Sequence, residues 1–330
     1  MATFELINIA LLGILVATAI VITRMRALYG AVMLAALFSL VSASMFVLLD
    51  AVDVAFTEAA VGAGISTVLF LTTLAITRSR EAQTPRRRVL PASLGALFTG
   101  GMLLYASQDL PGFGTADSPV QEHPITHTYL EESQHEIGVP NTVTSVLASY
   151  RGFDTLGELA VIFTAGVAVL LILTYLPRQS EEAERAALLL TDYPVLRVVS
   201  TILMPFILVF AFYVQFHGDY GPGGGFQAGV IVAAGFVLYG LVFGLDSGRR
   251  VMPRRVLLAL VPLGLLLYAG VGVVNMLLGG SFLEYGTLNL HHPEEGQHIG
   301  ILLIELGVGV TVAAVLTVVF FAFAGRRVPR

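Results

Sequence analysis

The chain has 330 residues, 56% of them hydrophobic and 12% charged, with a mean hydropathy of +0.82 and a formal net charge of −5. Soluble domains carry about 25% charged residues, so composition excludes an ordinary soluble globular protein. Cysteine, tryptophan and lysine are absent, which excludes disulfides, thiol chemistry and cysteine-ligated metal and leaves arginine as the only strong base.

Taken in order, nine apolar stretches approach the roughly 20 residues that cross about 30 Å of hydrocarbon. They are 4–23, 27–49, 54–77, 89–106, 155–176, 194–216, 225–245, 256–278 and 298–324. The first has no basic residue before it and is too long for a signal-peptide core, so it reads as a retained span. The fourth is short and carries Gly95, Gly100 and Gly101. An all-α integral membrane protein of about nine transmembrane helices is the expectation, because helices satisfy their own backbone groups in lipid.

Arginine sets the expected orientation. With the N-terminus outside and the C-terminus cytoplasmic, 17 of the 18 arginines fall on the inner side, and Arg151 is the exception. All seven histidines (His123, His127, His135, His217, His291, His292 and His298) then fall outside. Two long connections divide the chain: an acidic, histidine- and proline-rich outer loop at 107–150, and RQSEEAERAALLLTD at 178–192, which reads as a short inner amphipathic helix. The expected modules are a three-helix domain at 1–80, a two-helix domain at 81–177, the linker helix at 178–192 and a four-helix domain at 193–330.

Carboxylates within hydrocarbon are costly unless paired, hydrated or protonated, and so mark functional candidates. Glu58, Glu158 and Glu305 each lie about 6–12 Å in from the outer end of a span, at 1.5 Å per residue. Glu158 belongs to RGFDTLGE (151–158), which opens the fifth span, with Asp154 one helical turn before it on the same face. The alternative for Glu158 is a first-turn acid favoured by the helix dipole. Asp154 reads either as the helix N-cap or as an ion ligand, and Arg151 as the partner of one of these acids. Gly62 and Gly64 follow Glu58 within two turns, where a kink, a π-bulge or close helix packing is expected. Glu305 follows His298 by seven residues, on nearly the same face, and Asn275 is a candidate hydrogen-bond donor to it.

The string HGDYGPGGGFQAG spans 217–229. Gly223 to Ala228 satisfies a G-x-G-x-x-A dinucleotide signature, but no strand precedes it and it joins two membrane helices, so that reading is rejected. A tight outer hairpin is expected instead, with Gly225 and Gly229 permitting close helix contact. His217 then sits at the membrane edge, either relaying protons or serving as a hydrogen-bonded structural residue. The spacing of His291, His292 and His298 fits no zinc pattern, and His123, His127 and His135 are no better. No nucleophile–histidine–acid set, phosphate loop or exposed basic domain is present, so enzymatic and nucleic-acid functions are not expected.

These strings carry a family resemblance. Residues 193–324, with HGDYGPGGGFQAG and IELGVGVTV, resemble the B-type component of the Mrp-type multisubunit cation/proton antiporters. Residues 1–80, with FTEAAVGAGISTVLF, and 89–177, with NTVTSVLASYRGFDTLGELAVIF, resemble small domains at the C-terminal end of the A-type component of those antiporters. Small subunits of membrane-bound hydrogenases and the J-type subunit of respiratory complex I are similar. The resemblance implies a prokaryotic, multi-pass inner-membrane subunit of a Na+/H+ antiporter, with Na+ and H+ as cargo and no cofactor. Glu58, Glu158, Glu305 and His217 would carry the ion or proton path. Its partners would be membrane lipid and other subunits, among them a large antiporter-like one that supplies the lysine-bearing path this chain lacks. The alternatives are a subunit of a related redox-driven complex and a structural scaffold.

Overall fold

The computed structural model describes residues 2–77, 86–175 and 194–324. The expected amphipathic helix at 178–192 lies outside the described residues. Among the described residues, nine helices are long and apolar enough to cross a membrane. They are α1 (Ala2–Arg24), α2 (Leu28–Leu48), α3 (52–77), α4 (Arg86–Ala106), α5 (Gly152–Thr174), α6 (Pro194–His217), α7 (Gly225–Phe243), α8 (Arg254–Leu277) and α9 (Pro293–Ala324). The chain is a multi-pass, all-helical membrane protein, and each expected span falls on one of these helices.

The last helix is the centre of the molecule. α9 opens on Pro293, whose fixed φ suits a first helical turn, and places Glu294 and Glu295 at the positive end of the helix dipole. Its 32 residues run about 48 Å, longer than the hydrocarbon is thick, so one end stands clear of the bilayer. It packs against α5, α7, α8 and the second half of α3.

Glycine makes this packing close. A Cβ on Gly225 of α7 would lie 2.0 Å from the Glu305 carbonyl oxygen, and one on Gly229 would lie 2.7 Å from that of Gly309. On the other side, a Cβ on Gly264 of α8 would lie 2.1 Å from the Gly307 carbonyl oxygen. Lipid gives helices no hydrophobic reason to associate, so contact at backbone distance and hydrogen bonds between helices supply the attraction. The buried Thr311 hydroxyl adds one such bond, donating to the Val261 carbonyl at 3.1 Å.

α3 is interrupted where the glycines predicted it. Val52–Glu58 and Ser66–Thr77 are α-helical, and Ala59–Ile65 between them is a π-helical turn. Gly62 faces α2 there, and a Cβ on it would lie 2.5 Å from Ser39 Oγ and 2.6 Å from Glu58 Oε1.

The expected outer loop at 107–150 is largely helical. Short helical turns run from Pro119 to Ile137, Gly138 ends them with φ +79°, and Thr142–Thr144 leads into a π-helical turn at Ser145–Tyr150. Asn141 caps this last piece by accepting from the Val143 amide at 3.0 Å. Its amide group donates to the Gly218 and Gly221 carbonyls at 3.1 and 3.0 Å, which ties the segment to the hairpin between α6 and α7. Residues 142–150 therefore belong to the packed bundle rather than to a free loop. Hydrophobic residues are legible in that stretch, but it is too short to register as a span.

One face of the bundle collects the connections that carry His217, His298 and Arg151. Asn141 joins the α6–α7 hairpin, His298 joins Asp219 of that hairpin, and Tyr285 joins Ala148. Arg197 and Arg249 lie at the other end, the first over the Phe243 ring at 5.6 Å and the second beside the Phe321 carbonyl.

Candidate functional site

α3, α5, α7 and α9 border a cavity of about 580 Å³ that is open on one side, and residues 142–150 line part of it. Its walls are mostly apolar, with Leu147, Leu159, Ile162, Phe226, Ile304 and Val308 among them. Three carboxylates break that lining: Asp53 of α3, Glu158 of α5 and Glu305 of α9. Among the described residues none of the three forms an ion pair with a base. Like charges lining one largely apolar space repel one another, which favours protons or cations that offset them.

Each acid is placed by a different local device. Asp53 sits in the first turn of α3 and accepts from the Gly223 amide at 3.2 Å, so it is fixed by the hairpin as well as by its own helix. Four residues on, Thr57 accepts from Gln227 Nε2 at 3.0 Å, which binds α3 to α7 one turn deeper. Glu305 lies beneath the hairpin. Cβ atoms on Gly218 and Gly224 would each stand 3.1 Å from its carboxylate oxygens, so bare backbone borders it. Gly224 has φ +126°, a conformation that also requires glycine. Glu158 lies two turns into α5 and is exposed on the open side of the cavity.

The joint before α5 is held from behind by two buried tyrosines. Tyr268 of α8 donates to the Gly152 carbonyl at 2.7 Å, and Tyr285 donates to the Ala148 carbonyl at 2.9 Å. Thr155 donates to the Leu147 carbonyl at 2.8 Å. The bonds to Leu147 and Ala148 engage carbonyls at the end of the π-helical turn, and the bond to Gly152 adds a second donor to a carbonyl in the first turn of α5. Burial pushes the Tyr285 hydroxyl well above the usual phenol range, so it acts as a donor and not as an acid.

The sequence candidates separate on this geometry. Glu158 and Glu305 share the cavity, whereas Glu58 lies beside Gly62 and Ser39, facing α2. His217 stacks on Tyr213 with ring centroids 4.8 Å apart and lines a second groove of about 480 Å³ between α2, α3 and α6. Asp154 is not an N-cap: α5 begins at Gly152, and the Asp154 carboxylate is turned to Arg151, which contacts it through Nε and a terminal nitrogen, each at 2.6 Å. Both side chains are exposed, and the nearby guanidinium outcompetes the helix amides for that carboxylate. Asn275 does not reach Glu305; it donates to the Glu284 carbonyl and to Thr287 at 3.0 and 2.9 Å and so pins the α8–α9 connection. Gly62, Gly64, Gly225 and Gly229 stand at the π-turn and at the α7–α9 crossing.

Asp53, Thr57 and Gln227 line the candidate site and are not revealed by the apolar pattern. The run begins at residue 54, which leaves Asp53 as a helix-end acid. Its spacing of four from Thr57, one helical face, is the available signal.

A further pair lies just above the cavity. His298 Nδ1 stands 2.6 Å from Asp219 Oδ2, with Asp219 buried in the hairpin and His298 half-exposed at the start of α9. Burial raises the Asp219 carboxyl above the usual range, and the imidazole beside it pulls it partly back.

Comparison with known proteins places this architecture. A domain described as related to the MnhB subunit of Na+/H+ antiporters matches residues 195–318, and models of MBH subunits D and E match 13–79 and 112–187. The antiporter subunit mnhB2 of Staphylococcus haemolyticus is 34% identical over 135 residues, 40% of this chain and 95% of that protein. An A/B component of a K+/H+ antiporter from Rhizobium meliloti is 28% identical over 271 residues, 74% of this chain but 26% of that one. A chain of the Mrp complex from a Dietzia species superposes with a TM-score of 0.77 at 26% identity, covering 96% of this chain and 34% of that chain. A chain of an archaeal membrane-bound sulfane sulfur reductase superposes with a TM-score of 0.54 at 28% identity, over 72% of this chain and 97% of that one. The chain spans about a third or less of the length of the Dietzia and Rhizobium proteins. Through the match that covers nearly all of mnhB2, the chain belongs to the MnhB family of antiporter subunits.

Proposed function

We propose that this chain is a non-catalytic membrane subunit of a multisubunit cation/proton antiporter, and that Asp53, Glu158 and Glu305 form part of the ion or proton path. The observation that carries the reading is their convergence, from three separate helices, on one cavity without a basic partner among the described residues. An acid held in this way gains most from a visiting proton or cation, and the apolar walls keep that exchange local. Na+ and H+ are cargo in this reading, no covalent step occurs, and other subunits supply the rest of the path. The cavity lies toward the histidine-bearing face, the outer one by the distribution of arginine. His217 borders the second groove and Glu58 faces α2, so neither belongs to this cavity.

Replacing Glu158 by Gln removes the charge and keeps the shape. In everted membrane vesicles containing the assembled complex, Na+-driven proton exchange should fall roughly tenfold or more, and Glu305→Gln should do the same. Exchange at the parental rate by normally assembled Glu158→Gln and Glu305→Gln complexes would refute the path.

A second reading, a small membrane subunit of a redox-driven complex, is favoured by the likeness to the sulfane sulfur reductase chain and by the MBH models. Mass spectrometry of the complex that co-purifies with this chain separates the two, since redox subunits accompany only the second.

A further inference from the structure

We infer that His298 and Asp219 form a proton relay that loads or unloads Glu305 from the histidine-bearing face. The relay rests on the carboxylate path proposed above and adds its entrance. His298 is half-exposed, Asp219 is 4% exposed, and their side chains meet at 2.6 Å. Inward of the pair, the Glu305 carboxylate lies beneath the hairpin: a Cβ added to Gly218, the neighbour of Asp219, would stand 3.1 Å from Glu305 Oε2. His298 and Glu305 are seven residues apart on one helix, about 10 Å along its axis, with the hairpin lying over that face.

A buried carboxylate is well suited to hold a proton briefly, and an imidazole at the surface is suited to exchange one with water near neutral pH. Inward transfer places a proton on His298 Nε2 from solvent and moves the Nδ1 proton to Asp219 Oδ2, which passes it on to Glu305. Outward transfer reverses these moves. The hairpin is anchored for this role: the Asn141 amide donates to the Asp219 carbonyl at 3.0 Å, and Thr144 donates to the Gly218 carbonyl at 2.7 Å. The other ionisable groups around the pair have separate roles. His217 stacks on Tyr213, Glu295 accepts from Asn289, Glu294 lies against Gly138, and Glu136 of the packed 133–137 helix is engaged by Tyr150, with His135 beside it exposed.

The test is His298→Gln in the assembled complex. Glutamine can still donate to Asp219 but cannot relay. Exchange should fall roughly tenfold, the deficit should vary with pH because only the parental imidazole can take up and release a proton, and the apparent KM for Na+ should stay unchanged. Parental rates at every pH, or a deficit independent of pH, would overturn the relay. Failure of both His298→Gln and His298→Asn to assemble would make the pair a structural clasp and overturn it equally. Loss of exchange in Glu158→Gln and Glu305→Gln with parental behaviour of His298→Gln removes the relay alone; parental exchange in all three removes the path as well.

Discussion

α4 and α9 both qualify as membrane spans, yet their surroundings are opposite. Two-thirds of the apolar window of α9 is buried (67%), against none (0%) of that of α4. Both are rich in glycine, so glycine content does not separate them. In α9 a Cβ on Gly296, Gly300, Gly307 or Gly309 would come within 2.6 Å of a neighbouring atom, whereas Gly95, Gly100 and Gly101 of α4 have nothing within 4 Å. Hydropathy decides that a segment enters the bilayer. Matching small residues on a facing helix decide what it packs against, because lipid solvates an apolar surface as well as another helix does. The bare faces of α4 are therefore surfaces for lipid or for other subunits.

The largest expected effect comes from closing the tightest contact. Gly225→Leu drives a side chain into the Glu305 backbone and should exceed the roughly 1–3 kcal/mol typical of an overpacked core. Size-exclusion chromatography in detergent should show loss of the folded chain. Gly95→Leu should leave the isolated chain intact. Should it nonetheless block assembly of the complex, the exposed face of α4 is a contact between subunits and the comparison sharpens. Next comes Tyr268→Phe, which removes the donor from the Gly152 carbonyl and should cost roughly 1–2 kcal/mol, read as a lower thermal midpoint of the purified protein. An unchanged midpoint would mean that the joint before α5 is held without that bond. The smallest effect belongs to Arg151→Ala. Its pair with Asp154 is 59% and 53% exposed, so under about 1 kcal/mol is expected, shrinking further with salt. A larger loss would show that the exposed rim contributes as much as the buried crossing.

Much of the candidate site is legible in the sequence for a physical reason. A carboxylate within an apolar run is conspicuous whatever the fold, which is why Glu158 and Glu305 stand out. Gly62 and Gly64 are legible as a helix interruption because glycine weakens a helix locally, and Gly225 with Gly229 as a contact because their spacing puts them on one face. Asp53 is not, since an acid at a helix end is ordinary until the hairpin closes over it. Asp154 misleads for the complementary reason: capping is the commonest use of such a residue, but the choice between an amide and the Arg151 guanidinium depends on where the preceding segment places that arginine.

The amino-acid sequence by itself determined the nine apolar spans and the presence of acids within them, because both follow from local transfer free energy. Only the tertiary structure decided which acids share a cavity, that Asp219 meets His298, and that residues 142–150 join the bundle. Those outcomes depend on which helices approach at backbone distance, and that is set by complementary surfaces far apart along the chain.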